Sequence, residues 1–145
     1  MTESLEPNKL ADKTNLEIDE VNDEIESALK DPRGIISHQK RLAFCLSDGT
    51  VNLLEQYLKD KNVLKSGYKV DHRIFKKNKQ NTKKILKTKI TCSIDYLEKI
   101  DKILDFAYII ESKRNELVYG KKASEEFLNE LISVYLDMKK EIDNE

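Results

Sequence analysis

Residues 65–89 carry ten basic side chains against a single acidic one, the sharpest charge bias in the chain. Lys69, Arg73, Lys76, Lys77, Lys79, Lys83 and Lys84 are interleaved there with Tyr68, His72 and Phe75. Cationic side chains neutralise phosphates and release counterions, and aromatic rings stack on bases, so this pattern suits single-stranded nucleic acid. A solvated lysine-rich connection, an acidic partner, or the acidic segments of the chain itself would fit the same residues. Arg114 raises a different question. On a helix it lies beside Ala107 and Val118, which sets a guanidinium on an apolar stripe. Its five donors then need a carboxylate, a phosphate or backbone carbonyls. Glu111, one turn earlier, is one expected partner, and helix C-terminal carbonyls are another. His38 and His72 have no second ligand three or four residues on, and each is expected to be a surface or capping residue.

Other chemistries have no sequence support. There is no glycine-rich phosphate loop, no His-Glu-x-x-His, no Glu-x-x-His and no nucleophile elbow. Cys45 and Cys92 stand far apart without Cys or His at ligand spacing, which argues against a disulfide framework and a structural zinc. No cofactor and no metal are expected. The 145 residues, 39% apolar and 37% charged, suffice for one domain with its own core. Without a long apolar run, a signal-peptide pattern or a lipidation motif, the expectation is a cytoplasmic protein with no membrane attachment. The formal net charge of −1 conceals segregation, because residues 1–31 hold ten acidic side chains and residues 125–145 hold seven.

The elements that must position these residues read as helices. Four glycines, two prolines and abundant Lys, Glu, Leu and Ile argue against a turn-rich β architecture. Residues 1–13 are expected as a flexible tail and 14–143 as a single domain. Thr14-Asn15-Leu16-Glu17 has the form of a capping box, followed by Ile18, Val21, Ile25, Ala28 and Leu29 at helical spacing up to Asp31-Pro32-Arg33-Gly34. The next helix, from about 35 to 63, has two apolar stripes: Leu42, Leu46, Gly49, Leu53 and Tyr57 on one side, Phe44, Val51, Leu54 and Leu58 on the other. Such a helix is covered on two sides, either within the bundle or by a homodimer interface built on Phe44, Val51, Leu54 and Leu58.

After a loop or short helix around Val70, Ile74 and Phe75, residues 81–118 form one helix or two, since Thr88, Ile90 and Thr91 are weak helix formers. Gly120 suits the left-handed position after a helix, and Ser124 with Glu125 and Glu126 starts the last one. The expected fold is all-α, a four- to five-helix antiparallel bundle.

The segment Arg114-Asn115-Glu116-Leu117-Val118-Tyr119-Gly120 ends a long amphipathic helix and precedes one more. It resembles the signature of HEPN domains, over 14–143 in helix order and specifically over 114–120. The resemblance implies a HEPN-like bundle with an Arg, an adjacent polar residue that is often Asn, and a His four to six residues beyond. It also implies dimers whose paired sites cleave RNA without a metal, or a minimal nucleotidyltransferase as partner. Arg114 and Asn115 match, but Tyr119 stands where the histidine is expected. A phenol that ionises near pH 10 is a poor general base at neutrality, so Tyr119→His is expected to raise cleavage. The tyrosine that some members carry two residues later is Lys121 here.

Three functions follow as expectations. The first is a dimeric module that binds RNA or a nucleotidyltransferase through Arg114, Asn115, Tyr119 and the basic stretch, with a degenerate ribonuclease motif. The second is an active metal-independent endoribonuclease toxin that moves protons with Tyr119 or a recruited His72. The third is a non-catalytic helical adaptor.

Overall fold

Residues 9–144 are described by a computed structural model, and they contain five α-helices: α1 (Lys9–Lys30), α2 (Gln39–Asp60), α3 (Lys79–Lys87), α4 (Ile100–Tyr119) and α5 (Glu125–Asp143). Short 3-10 turns occupy Ile35–His38, His72–Phe75 and Ile94–Tyr96. The described residues form no strand; a lone antiparallel bridge pairs Leu64 with Ile90. None of the described helices is long and apolar enough to cross a membrane.

The two-sided helix sits at the centre, since α2 packs on α1, α4 and α5. That placement corrects the expected dimer face. Val51, Leu54 and Leu58 are buried by the chain's own elements, and of the four residues only Phe44 stays exposed, at 41%. Gly49 faces Tyr135 of α5, where a Cβ would come within 2.6 Å of the phenol ring, so the missing side chain sets how closely α2 and α5 approach.

Side chains at the helix ends fix an antiparallel arrangement. Lys99, just before α4, donates to the carbonyls of Glu141 and Asn144 at the end of α5, at 2.9 and 3.2 Å. Buried His38, at the start of α2, holds Glu24 and Asp31 from the end of α1 at 2.7 and 2.8 Å. It is a corner residue that ties two helices together.

Several boundaries differ from the sequence expectation. Helix α1 starts at Lys9, so Thr14 lies inside it rather than capping it, and the expected tail is helical over 9–13 while 1–8 lie outside the described residues. Lys, Leu and Ala are good helix formers, which carries the helix past the capping motif. Residues 81–118 divide into α3 and α4, separated at the weak helix formers Thr88, Ile90 and Thr91; the Thr88 hydroxyl donates back to the Ile85 carbonyl at 2.7 Å. Helix α2 stops at Asp60, where Asn62 takes the left-handed conformation (φ 61°) and the Val63 N–H returns to the Leu58 carbonyl at 3.1 Å. Gly120 is not left-handed: its φ is −94°, and it is constrained instead by its close approach to the Glu116 carbonyl, which a Cβ would strike. Ser124 caps α5 as expected, accepting the Phe127 N–H at 3.1 Å.

Candidate functional site

Helix α4 and one short turn, with the residues that follow it, line a cleft of about 480 Å³. Helix α4 contributes Glu111, Arg114 and Asn115, spaced i, i+3, i+4 and therefore on one face. Helix α2, outside that lining, brings Phe44, Ser47 and Asp48 with the same spacing against Arg114, Glu111 and His72. The turn His72–Phe75 lies over both, followed by Lys76 and Lys77. Asp71 caps this turn by accepting the Arg73 N–H at 2.8 Å. Buried Glu55 anchors the approach to it by accepting the Val70 N–H at 2.9 Å.

His72 is the hub. Its Nδ1 lies 2.5 Å from Glu111 and 3.1 Å from the Ser47 hydroxyl, which itself donates to Glu111 at 2.9 Å; its Nε2 lies 3.3 Å from Asp48. Asp48 and Glu111 together raise the imidazole from the ordinary 6.5 to about 9. It is thus an imidazolium at neutral pH. Glu111 is the enclosed partner, with 8% of its side chain exposed, while Asp48 is 68% exposed.

Because Glu111 is engaged by His72 and Ser47, the expected Arg114–Glu111 ion pair does not form. The Arg114 guanidinium instead lies over the Phe44 ring, 5.2 Å from its centroid. Its Nε is enclosed and has no hydrogen-bond partner among the described residues. Such a donor is costly to leave unmet, since water no longer satisfies it. With Arg73, Lys76 and Lys77 around the rim and the Arg114 guanidinium in its lining, the cleft has the charge to accept an anion.

Other predicted residues separate. Tyr119 is 82% exposed at the end of α4 and does not line the cleft, because five residues of helix turn it away from Arg114. Lys79 pairs with Asp105 at 2.9 Å, and Lys83 with Asp101 at 2.5 Å, so these two serve to dock α3 on α4. Lys84 is exposed on α3. Lys69 lines a second cleft, of about 370 Å³, on the other side of His72. There Glu17, Glu20, Asp48 and Asp71 set the opposite sign, and burial, together with Glu24 and Asp48, pushes the Cys45 thiol up. Among the described residues no group of His, Cys, Asp or Glu is arranged to hold a metal ion.

Sequence reasoning passed over Ser47, Asp48 and Gln39. The signal for Ser47 was a hydroxyl within a helix apolar on both sides, where it must find a buried partner. Gln39 gave none: its side-chain amide donates to the carbonyls of Leu117 and Lys121 at 2.9 and 3.3 Å and accepts the Ala123 N–H at 2.8 Å, which fixes the turn after Arg114.

No family model, curated protein or solved structure matches the chain.

Proposed function

We propose that the protein is a HEPN-like helical module that holds the phosphate backbone of RNA in the cationic cleft around Arg114. The observation that carries this reading is the guanidinium itself: half-buried, stacked on Phe44, with Nε enclosed and unpartnered among the described residues. Removing a permanent cation from water is costly unless an anion compensates, and a phosphate supplies both the charge and the lone pairs that fit the planar donor set. Arg73, Lys76 and Lys77 add a local field that gathers polyanions.

One observation favours a second reading, metal-independent cleavage: His72 lines the same cleft as Arg114 and Asn115. Protonated up to about pH 9, it is a proton donor for a departing 5′-oxygen and a poor acceptor at neutrality, so as the 2′-oxygen attacks phosphorus its proton passes to solvent water.

One experiment addresses both readings. Labelled single-stranded RNA is titrated with the protein in chelator, with binding followed by anisotropy and cleavage on gels. Arg114→Ala is expected to weaken binding about tenfold or more, as for loss of a charge-assisted hydrogen bond. Unchanged affinity would remove the phosphate reading. His72→Gln is expected to bind within a few-fold of wild type. Wild-type cleavage that falls about 10²-fold in this variant would put the second reading in place of the first.

A further inference from the structure

Phe44 is the one member of the site whose exposure has no account so far. It sits one helical turn before Ser47 and Asp48, on the face of α2 that meets α4, yet it remains 41% exposed. Its ring carries the Arg114 guanidinium, 5.2 Å from the ring centroid. The same guanidinium lines the cationic cleft, so the partly exposed ring, itself outside the lining, is one guanidinium away from the position where a phosphate would sit. A nucleotide carries its base a few ångströms from its phosphate, and a base stacks on any accessible aromatic surface, whatever its sequence identity.

We propose that Phe44 is a base-stacking platform and that the site takes an unpaired nucleotide, with phosphate on Arg114 and base on Phe44. This rests on the phosphate reading above and narrows it to single-stranded substrate, because bases held in a duplex are already stacked and paired. The simpler role for Phe44 is an apolar shelf that only orients Arg114. The two roles differ in what the ligand must possess: a shelf serves any phosphate backbone, whereas a platform needs a base.

The test uses a short oligouridine, the same ribose-phosphate backbone without bases, and wild type, Arg114→Ala and Phe44→Leu proteins. Wild type should bind the intact oligomer about tenfold or more tightly than the abasic one. Phe44→Leu should lose most of that difference, bringing the ratio of the two affinities close to one whatever its affinity for the abasic oligomer, and Arg114→Ala should weaken both. Equal wild-type affinity for the two oligomers overturns the platform and leaves the phosphate reading standing. A Phe44→Leu protein that weakens both ligands in parallel assigns the shelf role and also overturns the platform. Failure of wild type to bind either oligomer removes the phosphate reading and the platform with it. Should Phe44→Leu not fold, Phe44→Trp replaces it: a larger ring is expected to widen the gap between intact and abasic ligands, and an unchanged gap counts against stacking.

Discussion

The two clefts that flank His72 are similar in size and opposite in sign. One is lined by Glu17, Glu20, Asp48 and Asp71, the other by Arg73, Lys76, Lys77 and Arg114. Charge alone does not make either a site. In the acidic cleft Asp48 has 68% of its side chain exposed and Glu20 is exposed as well, so water satisfies these carboxylates. In the cationic cleft one donor of Arg114 is enclosed without a partner among the described residues. The difference lies in desolvation: a solvated charge is content without a ligand, and an enclosed one is not. The acidic first segment and the basic stretch thus contribute to two adjoining compartments, and among the described residues the unmet donor lies on the basic side.

The comparison can be broken most severely by disturbing the frame common to both compartments, since α2 lines the acidic one and packs on α4, which lines the other. Gly49→Val is expected to destabilise the protein by about 3 kcal/mol, read from urea denaturation, because the new side chain overlaps Tyr135 on α5. The helix-propensity gain over glycine recovers well under about 1 kcal/mol of this. A stability equal to wild type would mean that α2 and α5 can separate without cost.

A second change separates the compartments at their shared residue. Glu111→Gln should cost about 2 kcal/mol, as expected when a buried charged hydrogen bond is weakened, and should move the His72 titration, followed by NMR, from about 9 back toward 6.5. The sign of the wild-type pH dependence follows. A histidine raised on folding stabilises fully below its unfolded value of 6.5, and that contribution disappears as pH rises through about 9. Melting temperature should therefore fall over this window in wild type and less in Glu111→Gln. A flat wild-type profile would show that His72 is not held by its carboxylates.

The smallest effects sharpen the boundary of the cationic cleft. Lys79→Gln with Lys83→Gln should lower stability by no more than about 1 kcal/mol in total, since both ion pairs are at the surface, and should leave RNA affinity almost unchanged. Lys76→Gln with Lys77→Gln should instead reduce the slope of log affinity against log salt by about 2. Tyr119→His, expected from the motif to raise cleavage, should change nothing, because that side chain is 82% exposed and outside the cleft. Equal losses from the two lysine pairs would merge the regions that the structure separates.

How much of this was legible in the sequence depends on the range of the interaction. Apolar periodicity revealed the helices and that one of them is covered on two sides, though not by what, and Ser124 showed where α5 begins, because these depend on neighbours within a turn or two. Arg114 on an apolar stripe was legible for the same reason. Its lack of a carboxylate was not: Glu111 is taken by His72, which is 39 residues away, through a turn that periodicity does not register. Lys79 and Lys83 looked equivalent to Lys76 and Lys77 until α3 docked on α4 and consumed them. Phe44 was grouped with Val51, Leu54 and Leu58 by helical angle, and only the packing of the other helices shows that three of the four are covered.

The Gln39 amide has a consequence for hydrogen exchange. The Ala123 N–H donates to Gln39 Oε1 across 84 residues of sequence rather than to a backbone carbonyl nearby. Its protection from deuterium therefore reports the docking of the first turn of α2 on the α4–α5 turn. A single slow amide in a connecting segment becomes a gauge of the opening that would loosen the last turn of α4, and it can be followed without any ligand.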